Sequence, residues 1–289
     1  MKKSIFLFSL VLFGFLAPAQ KGNSNHSLLW KISGKDLKTP SYLFGTIHMI
    51  CPDQYFWTDT MKSAFSNTKA LYLELPMADD DFQQQMLQHL MLTDGRELKD
   101  FFKESQYNKL DLFFKDSLNM PLAMLQKMKP FGMMSLIYLK HIDCNGQLPI
   151  AYEERLLNFA KEQNMPVKGL ETIKDQMDIF DRMPNDSIAK MVMSSIEDMA
   201  KNRDAFNEMM KAYRQQNIDK LHDLTVNAPD FASKLDEMLY QRNAKWIPRM
   251  IAAAQEQPTF FGVGAGHLPG GKGLIQLLRN QGYTVTPVK

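Results

Sequence analysis

The sequence predicts an α/β fold in which a mixed or mostly parallel central sheet carries a large helical insert. Short apolar runs that are typical of buried strands recur along the chain, and helical segments separate them. The chain has 289 residues, of which 45% are hydrophobic and 23% are charged, so it has the composition and length of a globular domain with its own core. Strands that alternate with helices are typical of α/β sheets.

The first 19 residues are predicted to be a cleaved signal peptide. Lys2 and Lys3 precede an apolar stretch over residues 5–16, and the small residues Ala-Pro-Ala that follow suit a cleavage site. The apolar stretch is too short for a stable membrane anchor. Residues 20–289 are therefore expected to form one domain in the periplasm or outside the cell. Loss of two lysines lowers the formal net charge from +2 to zero, and a neutral protein lacks the basic surface that nucleic acid binding requires.

The two cysteines, Cys51 and Cys144, leave two interpretations open. An oxidising compartment permits a disulfide between them, which we favour, and the alternative is a pair of free buried thiols. Neither cysteine belongs to a C-x-x-C or Cys/His nucleophile pattern, so a thiol enzyme is not predicted.

The first half of the domain is predicted to begin with a pair of strands. Residues 27–33 and 41–48 are apolar runs joined by a turn-rich segment. A third run, at residues 70–76, ends at Pro76. From residue 79 to about residue 140 the apolar residues recur at helical spacing, which predicts the first part of the helical insert.

The second half of the domain is predicted to alternate between helices and strands. The expected elements are an amphipathic helix at 149–164, a short buried strand at 165–171, the second part of the helical insert at 172–257, a strand at 259–267, a helix at 270–283 and a last strand at 284–288. The strands of this half add to those of the first half to complete the sheet.

A histidine or a glutamate lies at the end of each of four predicted strands. These residues are His48, Glu74, Glu171 and His267. Ligands of α/β sheets bind beyond the carboxyl ends of the strands, so the four side chains converge if their strands are parallel neighbours. Two imidazoles with one or two carboxylates are a typical set of ligands for a divalent metal.

A glycine lies three residues before each of these histidines. Gly45 and Gly264 have no Cβ, so they permit backbone, a metal ion or a substrate to approach closely. The alternative for each glutamate is a solvated strand end or a helix cap. The two motifs at strand ends are a stronger signal together than either is alone, and from the residues alone the alternatives stay open.

Five motifs of the chain resemble the TraB/GumN family, which includes Tiki-type metalloproteases and bacterial pheromone-shutdown proteins. In chain order they are LFGTIH, LYLELP, VKGLET, QRNAKW and GVGAGHLPGGKGLIQLLRNQGYTV. The resemblance extends over nearly the whole mature chain. It implies a single TraB/GumN-like domain, of the Tiki and erythromycin-esterase-like type, with a helical insert between the motif blocks. The Tiki branch is membrane-tethered, and this chain differs because it has no second apolar span.

The resemblance also implies a divalent metal site, with manganese or cobalt supporting activity in the Tiki branch, and zinc is a further candidate ion. The residues that it carries over are two histidines, two glutamates, an arginine and an asparagine: His48, His267, Glu74, Glu171, Arg242 and Asn243.

These residues give the hypothesis of a secreted or periplasmic metal-dependent peptidase. His48, Glu74 and His267 hold a divalent ion that lowers the pKa of a bound water and polarises a substrate carbonyl. Glu171 acts as general base, or Glu74 does so if it is not a ligand. Arg242 binds a substrate carboxylate or stabilises an oxyanion, with a salt bridge on the helix surface as its alternative role.

Two points stay open in the sequence, and one expectation concerns stability. The alternative to an enzyme is a peptide-binding protein that sequesters its partner without cutting it, as suspected for pheromone-shutdown relatives. Glu153 is either an acid of the site or an exposed position of its helix. His267 is expected on a glycine-rich loop beyond its strand, where truncation opens no core cavity and costs little stability.

Overall fold

The structure is a computed structural model that describes residues 26–228 and 234–289. The predicted signal peptide lies outside these residues and stays a prediction. In the part of the chain that is described, none of the helices has the length and apolar character needed to cross a membrane.

Six strands of the described residues form one mixed sheet, in the order β4-β3-β5-β2-β1-β6. Their bounds are β1 Leu29–Ser33, β2 Ser41–Thr46, β3 Ala70–Leu73, β4 Val167–Gly169, β5 Thr259–Gly264 and β6 Thr284–Pro287. Strands β2, β5, β3 and β4 run parallel to one another, and β1 runs antiparallel to both β2 and β6. The predicted α/β class with a mixed sheet is therefore confirmed.

The described residues also form eleven α-helices around this sheet. Their bounds are α1 Asp59–Ser66, α2 Phe82–Leu90, α3 Glu104–Leu118, α4 Pro130–Tyr138, α5 Tyr152–Glu162, α6 Ile173–Asp181, α7 Asn185–Glu197, α8 Met199–Arg214, α9 Ile218–Val226, α10 Gln241–Glu256 and α11 Leu274–Asn280. Helices α2 to α4 and α6 to α10 lie in the two segments that the sequence predicts to be helical.

The main core lies against the sheet. Strand β5 lies in the middle of the parallel part, and every residue of it except the last is buried. Its sequence is accordingly an almost continuous apolar run, as expected for a parallel strand that is covered on both faces. Phe44, Phe260 and Trp246 are among the fully buried side chains of this core.

The helical insert has a second core of its own. Helices α3, α4 and α7 contribute buried side chains to it, among them Leu110, Phe114 and Val192. The remaining members include five methionines, at positions 133, 134, 183, 191 and 193. Unbranched methionine side chains fill irregular gaps between helices, which explains part of the high methionine content.

A disulfide joins Cys51 to Cys144, with their Cα atoms 5.2 Å apart. The predicted bridge is thus confirmed, and the alternative of free thiols is wrong. Next to it, Ile50 and Ile150 exchange backbone hydrogen bonds of 2.9 Å in both directions. The segment after β2 is therefore tied to the segment that leads into α5.

The register of the parallel strands brings their carboxyl ends to one edge of the sheet. Thr46 of β2 lies opposite Gly264 of β5, and Leu73 of β3 lies between Gly262 of β5 and Gly169 of β4. The loops that follow these four strands consequently share one region of the surface.

Candidate active site

The four residues that the sequence singles out all follow the strands at this edge. Glu74 comes directly after β3, His48 and Glu171 come shortly after β2 and β4, and His267 closes a 3-10 turn, Ala265–His267, after β5. The predicted placement beyond the carboxyl ends of neighbouring parallel strands is confirmed by this arrangement. Their catalytic and metal-binding roles stay predictions.

Arg242, in the first turn of α10, lies at the centre of the buried part of the site. Its Nη2 is 2.6 Å from Glu171 Oε1 and 2.5 Å from Glu74 Oε2. Its Nη1 donates to the carbonyl oxygen of Met238 at 2.9 Å. The guanidinium is buried against two carboxylates, so the alternative of a salt bridge on the helix surface is wrong.

Glu171 accepts hydrogen bonds at both carboxylate oxygens. Arg242 Nε and Trp246 Nε1 each lie 3.1 Å from Oε2, and Gln176 Nε2 lies 3.1 Å from Oε1. Burial raises the pKa of Glu171, and the nearby charge of Glu74 adds to that rise against the opposing effect of Arg242. Glu171 therefore takes up a proton more readily than an exposed glutamate does.

Glu74 differs from Glu171 although the two acids share Arg242. Burial acts to raise the pKa of Glu74, but the charges of Arg242, His267 and His48 and the hydrogen bond from Gly264 together outweigh it, and the pKa is lowered. The backbone N–H of Gly264 also donates to Glu74 Oε1, at 2.7 Å. Two neighbouring carboxyl groups with pKa values displaced in opposite directions are typical of sites that carry out acid and base chemistry.

The two glycines of the G-x-x-H motifs permit this close packing. A Cβ placed on Gly264 would lie 3.2 Å from Glu74 Oε1, and one on Gly45 would lie 3.1 Å from the Cα of Ala265. The close approach that the sequence predicts is confirmed at both positions, by a site carboxylate and by backbone.

Asn243 determines which ring nitrogen of His267 carries the proton. Its Nδ2 donates to the carbonyl oxygens of His267 and Lys272, at 3.2 and 3.0 Å. Its Oδ1 is therefore an acceptor, and His267 Nδ1, 2.6 Å away, must be the donor. The lone pair of the neutral imidazole is then on Nε2, which lies 3.3 Å from Arg242 Nη1.

His267 is buried, which corrects the expectation of an exposed loop position. Only 3% of the residue is accessible, and its ring packs on Trp246 with 4.5 Å between ring centroids. Burial lowers the pKa of His267 to about 3, so the ring is neutral at physiological pH. The turn after β5 folds back under α10, and the glycine-rich composition of the loop did not reveal this.

His48 lies apart from this buried group and pairs with Glu153. Its Nδ1 is 3.1 Å from Glu153 Oε1, and its side chain is 73% exposed. Glu153 also accepts a hydrogen bond of 2.8 Å from Thr46 Oγ1. The charge of Glu153 raises the pKa of His48 to about 9.

Glu153 is the residue for which the sequence permits two interpretations. It is buried on α5, on the same face as Leu156 and Ala160. An acid in register with the apolar positions of an amphipathic helix is a signal that distinguishes it from the exposed Glu154. Of the two interpretations, the exposed helix position is wrong.

Comparison with known proteins identifies the family. The sequence model of the TraB/PrgY/gumN family matches residues 28–287, which is nearly the whole described chain. The chain belongs to the TraB/PrgY/gumN family. No solved structure matches it.

Several relatives of this TraB/PrgY/gumN protein are named metalloproteases. "Metalloprotease TIKI homolog" of Amphimedon queenslandica is 22% identical over 97% of this chain and 66% of its own length. "Metalloprotease TIKI1" of Danio rerio and of Homo sapiens are each 24% identical over 90% of this chain, and over 63% and 61% of their own lengths. The chain thus spans less than two thirds of the length of these relatives.

The donor atoms of this family member fit a divalent ion in part. His267 Nε2 and Glu74 Oε1 are 3.8 Å apart. Two ligands that each lie about 2.0–2.2 Å from one ion are separated by at most about 4.4 Å, so this pair suits a shared ion. Within the described residues, no three His, Cys, Asp or Glu side chains are grouped closely enough to hold a metal. The third predicted ligand, His48, is exposed and is held at Nδ1 by Glu153.

Proposed function

We propose that this protein is a divalent-metal-dependent hydrolase that cleaves an amide bond in a peptide or protein substrate. The observation that carries the proposal is the arrangement of Asn243, His267 and Glu74. A buried neutral imidazole donates from Nδ1 to Asn243 and presents Nε2 near an ionised carboxylate. Histidines that ligate metals typically donate their other ring N–H to such an acceptor. The names of the curated relatives support a peptide or protein as the substrate.

In this proposal His267 and Glu74 are the buried ligands and His48 is the exposed third ligand. A bound divalent ion supplies a Lewis acid that polarises the substrate carbonyl and lowers the pKa of a bound water. Manganese, cobalt and zinc are the candidate ions.

Glu171 is the proton acceptor of the proposed reaction. Its raised pKa suits a general base better than the lowered pKa of Glu74 does. Arg242 and Trp246 hold both oxygens of Glu171, so uptake of a proton at Oε1 or Oε2 requires one of these bonds to be released. Arg242 keeps the two acids in place, and its role toward an oxyanion or a substrate carboxylate remains part of the proposal.

The compartment belongs to the proposal too. The disulfide between Cys51 and Cys144 suits an oxidising environment. Together with the predicted signal peptide, it supports a location in the periplasm or outside the cell.

A peptide-library assay on metal-stripped protein tests the proposed function. We expect turnover only after Mn²⁺, Co²⁺ or Zn²⁺ is added, and loss of turnover on chelation. His267→Ala should abolish it, and Glu171→Gln should retain metal binding while losing most of the rate, because general base catalysis contributes roughly 10²–10⁴-fold. Lys245→Ala, at an exposed position of α10, is the control. Turnover that survives chelation and the His267 substitution would refute the proposal, and peptide binding without turnover would favour sequestration.

A further inference from the structure

We propose that Glu153 is the positioning residue of His48, holding the imidazole by Nδ1 so that Nε2 is the atom available to a divalent ion. This inference rests on the proposed function, in which His48 is the third ligand. Glu153 itself touches neither the ion nor the substrate in this role. It acts through His48.

The geometry places a buried acceptor under an exposed ring. Glu153 is 9% accessible as a residue, whereas the His48 side chain is 73% exposed. Oε1 of Glu153 accepts from His48 Nδ1 at 3.1 Å and from Thr46 Oγ1 at 2.8 Å. Thr46 is the last residue of β2, so one strand end supplies both donors to the same oxygen.

The helix that carries Glu153 is itself firmly placed. Tyr152 and Leu156 are fully buried, and the Tyr152 hydroxyl donates to the carbonyl oxygen of Phe56 at 2.8 Å. Glu153 also lies in the first turn of α5, where the helix dipole favours a negative charge. The carboxylate is therefore fixed before any ion binds.

The contact with Glu153 holds one nitrogen of the His48 ring. The carboxylate is buried whereas the ring is exposed, so the contact orients the ring from the protein side. Among the described residues, the hydrogen bonds of His48 use Nδ1 and leave Nε2 unused. A metal-ligating histidine typically has this arrangement, because a carboxylate accepts from the ring nitrogen that does not bind the metal and leaves the other nitrogen open.

Asn243 provides an independent parallel within the same site. It holds the Nδ1 of His267 as Glu153 holds the Nδ1 of His48. Both G-x-x-H histidines thus have an acceptor at Nδ1, although the two acceptors come from different helices, α10 and α5. The repetition of this contact at both histidines supports a common role.

The test is calorimetric titration of metal-stripped protein with Mn²⁺. We expect Glu153→Ala to weaken Mn²⁺ binding by about 10–100-fold, which is the usual effect of losing an outer-shell partner. Glu153→Gln should recover much of the affinity, because its carbonyl oxygen can accept from the same Nδ1. In a His48→Ala background, Glu153→Ala should cause no further loss. Glu154→Ala removes an exposed acid from the same helical turn and should bind Mn²⁺ like the wild type.

Thermal unfolding of each variant separates positioning from folding. If Glu153→Ala does not fold, Thr46→Val and Glu153→Gln remain as milder changes, and each should weaken Mn²⁺ binding in a folded protein. Wild-type Mn²⁺ affinity in folded Glu153→Ala, or an equal loss in the His48→Ala background, would overturn the inference and leave the proposed function standing. A wild-type protein that binds none of Mn²⁺, Co²⁺ and Zn²⁺ would overturn both.

Discussion

Arg242 binds Glu171 through one side of its guanidinium group: Arg242 Nε and Nη2 donate to the same oxygen, Glu171 Oε1, at 3.0 and 2.6 Å. The same Nη2 also donates to Glu74, so a single cation is shared by two buried acids. Charged groups in this environment are stable only together, because each of them loses its hydration on burial.

Substitution of Arg242 is therefore expected to destabilise the fold. Arg242→Ala leaves Glu74 and Glu171 buried without their cation, and removal of one partner from a buried pair costs about 3–5 kcal/mol. Denaturant unfolding measures the change in the free energy of unfolding. Lys245→Ala, on the exposed side of the same helix, should stay within about 0.5 kcal/mol of the wild type. A similarly small change for Arg242→Ala would mean that the ion cluster is not formed.

His267→Ala is expected to lower stability as well as activity. The substitution removes the donor to Asn243 Oδ1 and the ring that packs on Trp246. Leaving a buried polar group unsatisfied costs about 1–3 kcal/mol. His26→Ala, at an exposed position, is the matched histidine control and should have no effect. Thermal unfolding of both variants decides between this result and the neutral effect that the sequence suggests.

The pH dependence of stability should reveal the pair of His48 and Glu153. The pKa of His48 is raised from 6.5 to about 9 in the folded protein, so the folded state holds the proton more strongly than the unfolded chain does. The resulting stabilisation is complete below the unfolded pKa of His48 and is lost as the pH rises through the folded value. We expect the stability difference between metal-free wild type and His48→Gln to shrink between about pH 6 and about pH 10. A difference that stays constant over this range would contradict the raised pKa.

Loss of the disulfide should lower the stability of the whole domain. Cys51 and Cys144 are 93 residues apart in the sequence, and cross-links that close long loops typically contribute about 2–5 kcal/mol. The variant Cys51→Ser/Cys144→Ser should unfold at a lower denaturant concentration than the wild type. A reducing agent should lower the unfolding concentration of the wild type and leave that of the variant unchanged. Mass spectrometry after alkylation under non-reducing conditions should find no modified cysteine. Two alkylated thiols in the native protein would show that the bridge is absent.

Much of the sheet and of the site follows from the sequence. The apolar runs that end in His48, Glu74, Glu171 and His267 are strong signals, because buried parallel strands are continuous in hydrophobicity and polar at their carboxyl ends. The register that brings them to one edge then follows from parallel pairing.

The partners of these residues were harder to predict. The contact of Arg242 with Glu171 depends on where α10 packs, and no local pattern specifies that position. His267 is buried because the turn after β5 folds back against α10, and no local pattern specifies that contact. Glu153 carried a readable signal in its helical face, but its partner His48 is far away in the sequence. Long-range packing therefore accounts for what pattern analysis missed.

The bridge between Cys51 and Cys144 has a further consequence for the pair of His48 and Glu153. Cys51 follows His48 closely, and Cys144 precedes Glu153 closely, so the cross-link turns two distant segments into near neighbours along a covalent path. The effective concentration of the carboxylate at the imidazole is then set by this short path and no longer by the intervening chain, which includes helices α2 to α4. These helices can fray or rearrange around a ligand without separating the two residues. Protein produced in a reducing cytosol would lack the disulfide. The metal affinity of this reduced protein should therefore vary with the folding state of the helical insert.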